Sequence, residues 1–182
     1  MQAGSRGRAA ARQALAEHDQ LFLQHYPTLV AYLARRLPVE DAKDLAADVF
    51  VEAWRQRDQV VVDEERGWLP WLFTVARRKA RVWLRTHSAP APVEAGLPAP
   101  PGEDFVERLV EVDAANQRLA AALAGMRQLG EEDREVLELC GLFRMTPAQA
   151  AIVLEVPAGT VRVRLHRARR RLAELMDGGR QS

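Results

Sequence analysis

Between Ser88 and Asp104 the chain reads SAPAPVEAGLPAPPGED, a stretch that holds five of its ten prolines. Each proline fixes its own φ and lacks an N–H, and it pushes the residue before it toward extended backbone. The segment also offers little apolar surface to bury, so it predicts a flexible, extended linker. Whatever this chain folds into must therefore be built separately on either side. The expected organisation is a disordered basic arm over 1–12, a first unit over 13–88, the linker over 89–104 and a second unit over 105–178.

Both units read as helical, which makes the expected fold class all-α with two small domains. Apolar spacing and proline positions predict helices over Gln13–Tyr26, Pro27–Leu37, Glu40–Arg57 and Leu69–Thr86 in the first unit. Pro27 and Pro38 are read as breaks, whereas Pro70 suits a first helical turn. The second unit predicts helices over Phe105–Met126, Glu131–Cys140, Pro147–Leu154 and Ala158–Met176. Thr146 and Gln149 have capping-box spacing ahead of Pro147. Val60, Val61 and Val62 make the one strand-like run, and it is too short to count.

The stretch Ala151–Leu172, AIVLEVPAGTVRVRLHRARRRL, carries the clearest chemistry. A short apolar helix, a turn around Gly159-Thr160-Val161 and an arginine-rich helix read as helix-turn-helix. Val161, Leu165, Ala168, Leu172 and Leu175 form one stripe, which spreads six arginines from Arg162 to Arg171 over the other faces. Guanidinium around a buried seam suits a DNA major groove and its phosphate walls.

Two helices of the first unit are charged in opposite senses. Asp41, Asp44, Asp48 and Glu52 fall in line at spacings of three, four and four, opposite Leu45, Val49, Ala53 and Trp54. Such a line is either a solvated face or a seat for a cationic partner, since like charges at this spacing repel mildly. In Leu69–Thr86, the apolar stripe of Leu69, Leu72, Phe73, Ala76, Ala80, Trp83 and Leu84 leaves Arg77, Arg78, Arg81 and Arg85 on an adjoining face. Trp68 and Trp71 stand beside the polar loop Asp58–Gly67. Aromatics next to a basic surface can stack on unpaired bases, although Trp71 fits a core as well and Trp68 leaves both readings open.

The formal net charge is only +1, so local fields rather than the total decide what these surfaces attract. A single cysteine, Cys140, excludes an internal disulfide and fits a reducing cytoplasm. Four scattered histidines make a metal site unexpected, and the carboxylates have no histidine or glycine-loop pocket for acid–base chemistry. No cofactor, small-molecule substrate or catalytic residue is expected. No apolar run reaches transmembrane length, so no membrane insertion is expected. The opening MQAGSRGRAAARQ is basic and acid-free and is read as an unstructured arm rather than a transit peptide.

Taken in order, three motifs resemble the sigma-70 family of bacterial transcription initiation factors, in its compact extracytoplasmic-function group. DAKDLAADVFVEAW (Asp41–Trp54) resembles the helix that grips the coiled coil of the polymerase beta-prime subunit. WLFTVARRKA (Trp71–Ala80) resembles the helix that meets the minus-ten element, and Glu131–Leu172 resembles the helix-turn-helix that reads the minus-thirty-five element. The resemblance implies an alternative sigma factor with three partners. These are the RNA polymerase core (beta-prime coiled coil and beta flap), promoter DNA and an anti-sigma factor. It implies Asp41, Asp44, Asp48 and Glu52 for core binding. For the minus-ten element it implies Arg66, Trp68, Arg77, Arg78 and Arg81, around a loop that takes a flipped base. For the minus-thirty-five element it implies Thr160, Arg162, Val163 and Arg164 near base edges, with Arg167 and Arg170 on phosphate. The linker would run toward the polymerase active-site channel and RNA exit path.

Three positions depart from the family pattern: Glu155 replaces a glycine in the turn, Val163 a common serine, and Arg78 a frequent asparagine. A positive φ at Glu155 would cost roughly 1 kcal/mol, and Val163 exchanges a hydroxyl contact for a thymine methyl. A LuxR-type regulator is the first rival reading, but it calls for an α/β partner domain where residues 14–87 look helical. A helical protein-binding adaptor is the second.

Overall fold

The computed structural model describes residues 3–61, 63, 65, 67–87 and 122–178, which fall into two units, one on each side of the proline segment. Among the described residues every regular element is helical, and the one β-type pairing is an isolated bridge between Asp63 and Gly67. The linker, the start of the second unit and Arg66 lie outside the described residues.

Three helices make the first unit: α1 (Ala3–Leu33), α2 (Val39–Gln56) and α3 (Leu69–Thr86). Their core is Leu29, Tyr32 and Leu33 from α1, Ala42, Ala46, Val49, Phe50 and Ala53 from α2, and Leu72, Phe73, Ala76 and Ala80 from α3. Phe22 stacks on Tyr26 at 4.6 Å between ring centroids, Phe50 meets Phe22 edge-on at 5.0 Å, and Tyr32 packs on Phe73 at 4.7 Å. α2 thus buries Phe50, Ala42, Ala46 and Ala53, whereas Leu45 and Trp54 of the expected apolar side are only half-buried. The α1–α2 turn closes with Leu37 N–H donating to Leu33, and Pro38 caps α2 by accepting from Ala42 N–H at 2.9 Å.

Two expectations fail in α1. Pro27 lies inside one continuous helix and not at a break. Pro27 and Leu23, whose carbonyl lost its donor, both face solvent, so water can satisfy the freed oxygen. Packing of Tyr26, Leu29 and Tyr32 on either side of the proline holds the helix together. Residues 3–12 are also helical backbone and not an unstructured arm. Alanine at 9, 10, 11, 14 and 16 has the highest helix propensity of any residue, and it continues an anchored helix.

The second unit comprises α4 (122–127), α5 (Glu131–Leu137), a π-helical turn over Glu138–Leu142, α6 (Pro147–Leu154) and α7 (Ala158–Gly178). Val136, Leu139, Met145, Val153, Val161 and Ala168 form the centre of its core. α4 crosses α7 closely at Gly125, where an added Cβ would lie 2.7 Å from Leu172 Cδ1. The predicted helix over Glu131–Cys140 changes character after Leu137, and Phe143 N–H reaches back five residues to Glu138 at 3.0 Å. Glu135 to Leu139 are all buried in succession, so the end of α5 and the start of the widened turn are packed on nearly every face.

The helix-turn-helix corner has a built stop and start. The Thr146 hydroxyl accepts from Gln149 N–H at 3.2 Å, and the Gln149 side chain accepts from Thr146 N–H at 3.0 Å, so the capping box forms. α6 ends at Glu155, which adopts φ 57° and ψ 41°. The turn is therefore Glu155-Val156-Pro157. Gly159, Thr160 and Val161, expected as the turn, form the first turn of α7, with Thr160 N–H donating to Pro157 at 2.9 Å. Pro157 suits a helix start, and α7 begins directly after it at Ala158, the start the helix prediction gave.

Candidate nucleic-acid interface

In α7 the expected seam is present: Val161, Leu165 and Ala168 are buried, and Leu172 and Leu175 are half-buried. Burying this seam against α5 and α6 turns Arg162, Val163, His166, Arg169, Arg170 and Arg171 to solvent. Val163 is 67% exposed although it is apolar, and it stands one turn into the helix beside Arg162 and the half-buried Thr160. Such a side chain gains nothing from the fold. Placed at the start of a recognition helix, it is available to a thymine methyl.

The remaining arginines of the expected set are not alike. Arg164 Nη2 lies 3.0 Å from Glu132. Arg167 grips the buried Asp133 with two nitrogens, its Nε donating at 2.9 Å to Oδ2 while Nη2 reaches Oδ1. That hydrogen bond, and then the Asp133 charge, raise the affinity of the guanidinium for its proton still further. Arg167, expected on phosphate, thus spends its Nε and one Nη2 donor on a carboxylate within the fold, while its side chain stays 52% exposed. Arg170 makes a loose helical pair with Glu174 at 3.6 Å and stays well exposed. Pattern reading missed Glu132 and Asp133, since only the folded crossing of α5 and α7 reveals them.

The first unit presents a separate surface along α3. Arg78 and Arg81 are exposed, as expected for phosphate contacts, but Arg77 is buried at 8% and is not on that surface. It falls four residues after Phe73 and three before Ala80, which places it on the core stripe. Trp68 and Trp71 are both half-buried and meet edge to face at 5.6 Å. Beside them Asp63 and Gly67 exchange two backbone hydrogen bonds of 2.9 Å, a tight turn that needs the positive φ of Gly67. This turn and α1 enclose an open cleft of about 340 Å³ lined by Leu21, Gln24, His25, Glu65, Gly67, Trp68 and Leu69. The contribution of α1 to that cleft has no signal in the local sequence.

On α2, Asp44 and Asp48 are exposed, and Asp41 and Glu52 are half-buried. Asp48 lies 3.8 Å from Lys79 of α3, and Glu52 accepts a hydrogen bond from Gln56. The acidic line is thus real but graded, with Asp44 at its open centre. Among the described residues no group of three or more His, Cys, Asp or Glu could hold a metal ion, and no helix is long and apolar enough to cross a membrane.

Comparison with known proteins assigns both units. Residues 21–89 match the family model described as sigma-70 region 2, and residues 119–172 match sigma-70, region 4. "ECF RNA polymerase sigma factor SigL" of Mycobacterium tuberculosis is 34% identical over 174 residues, covering 91% of each chain. "Probable RNA polymerase sigma factor RfaY" of Xanthomonas campestris pv. campestris is 31% identical over 152 residues, and this chain spans only 36% of it. Among solved structures, CnrH in complex with the cytosolic domain of CnrY matches at 26% identity and a TM-score of 0.60, covering 94% of this chain and 97% of that one. RpoE of Bartonella quintana, in complex with the anti-sigma factor NepR, shares the fold at a TM-score of 0.64 and 23% identity, covering 88% of this chain and 97% of that one. The family is one of transcription initiation factors and not of enzymes. Two sigma-70 regions in their proper order, each on its own helical unit, make this chain a member of the sigma-70 family in its extracytoplasmic-function group, an alternative sigma factor that directs RNA polymerase to promoters.

Proposed function

We propose that the two units divide the work of promoter selection between named surfaces. α2 docks on a basic face of core polymerase through Asp44 and Asp48, with Asp41 and Glu52 flanking them. α3 lays Arg78 and Arg81 along the phosphates of the opening minus-ten strand. Trp68 and the cleft beside it receive an unstacked base, since unstacking costs a few kcal/mol and aromatic stacking returns part of it. α7 enters the minus-thirty-five major groove with Thr160, Arg162 and Val163 toward base edges and Arg170 toward phosphate. The chain supplies no catalytic residue; the polymerase does the chemistry. It works in the cytoplasm, and an anti-sigma protein is a fitting partner because CnrH and RpoE were each solved with a protein bound.

One observation carries this reading: a single chain exposes an acidic line on α2 and, in its other unit, an apolar-tipped basic start to α7. Opposite surfaces of that kind suit one protein partner and one nucleic-acid partner. The test is a titration of core polymerase with the full chain and with the variant Asp44→Lys/Asp48→Lys. Core affinity should fall at least tenfold with unchanged helical circular dichroism, as reversal of charge at a steered contact predicts. Unchanged affinity would return the acidic line to plain solvated surface, and no complex with the parent chain would sink the whole assignment.

A further inference from the structure

Glu132 and Asp133 stand side by side in the first turn of α5, yet they hold two arginines of α7 in different ways. Asp133 is buried and bidentate to Arg167, which makes a fixed clamp between the helices. Glu132 makes a single 3.0 Å contact to Arg164, and its side chain is 65% exposed. The Arg164 side chain is only 22% exposed, but the open Glu132 end leaves this single contact weaker than the clamp and able to exchange with other ions. Arg164 follows Val163 directly, on the stretch of α7 turned toward bases in the reading above.

We infer that Glu132 is a specificity-determining residue, a latch that keeps Arg164 from DNA of the wrong sequence. The inference rests on α7 being the recognition helix. Non-specific affinity grows with the number of phosphates that free cations neutralise. An arginine already paired gains little by trading one carboxylate oxygen for one phosphate oxygen. It gains more from a guanine edge, whose O6 and N7 accept two hydrogen bonds at once. Glu132 therefore lowers binding to arbitrary sequence more than binding to a fitted site, and the ratio of the two governs promoter choice.

The experiment measures the full chain on a short duplex of random sequence across a salt titration. Glu132→Gln should bind about three- to tenfold more tightly, with a log–log salt slope steeper by about one. Glu131→Gln removes the same charge one residue away and should leave the slope where it was. The double variant Glu132→Gln/Arg164→Gln should return to the slope of Arg164→Gln alone. A Glu131→Gln effect equal to that of Glu132→Gln would replace the latch with a general field effect and overturn it. If Arg164→Gln flattens the slope while Glu132→Gln changes nothing, the latch alone falls. If Arg164→Gln changes nothing, Arg164 does not meet DNA, and both the latch and its place on the recognition helix are lost.

Discussion

Asp133 and Arg167 are thirty-four residues apart and form a bidentate ion pair between α5 and α7. The acid is buried at the N-terminal end of α5, where backbone N–H groups already favour negative charge. The arginine comes from the middle of α7. Together they fix where the recognition helix lies along α5, so a side chain that looks like a DNA contact serves first as a clamp.

Removing one partner of this pair should therefore hurt the fold more than it hurts DNA contact. Arg167→Ala leaves the Asp133 carboxylate buried without its cation and should lower the thermal midpoint of the second unit by about 5 °C or more. The double change Asp133→Leu/Arg167→Met removes both charges and should recover most of that loss. Calorimetry on the three chains decides the matter. A phosphate role for Arg167 predicts the opposite signature, an intact midpoint with a salt slope for DNA that is flatter by about one.

Glu155 offers a second test, because its left-handed conformation is the one departure that the fold visibly tolerates. The residue is exposed and ends α6 with φ 57°, where its backbone N–H still reaches Ile152 at 3.3 Å. Nothing about its side chain requires glutamate there. Glu155→Gly should relieve up to about 1 kcal/mol of strain, less the entropy glycine adds to the unfolded chain. Urea denaturation should show a net gain of a few tenths of a kcal/mol or more. A loss would mean that the Glu155 side chain makes a stabilising interaction outside its own turn.

Much of this architecture was legible in the sequence, and the gaps have physical causes. The limits of α3 and α6 follow from local chemistry, from Pro70 and from the Thr146–Gln149 box, and they fall where expected. Pro27 misled because propensity speaks of an isolated helix, whereas packing of Tyr26, Leu29 and Tyr32 overrides one missing hydrogen bond. Arg77 misled because charge suggests exposure, while its spacing from Phe73 and Ala80 places it on the buried stripe. For Glu132, Asp133 and the α1 wall of the Trp68 cleft there was nothing to read, because each acts through a partner more than thirty positions away.

Cys140 gives a pH-dependent prediction. Its thiol is half-buried in the π-helical turn, and that burial raises its pKa above the ordinary range, while the charge of Arg169 pulls it partly back. The thiolate is the reactive form. Alkylation of the folded chain at neutral pH should therefore be slower than that of a small free thiol and should climb steeply only at higher pH. Unfolding in urea should abolish the difference. Arg169→Gln removes the cation that favours thiolate, so it should slow the reaction further and move its rise to still higher pH. Should Arg169→Gln speed alkylation instead, then opening of the π-turn, and not the charge of Arg169, would be what limits access to Cys140.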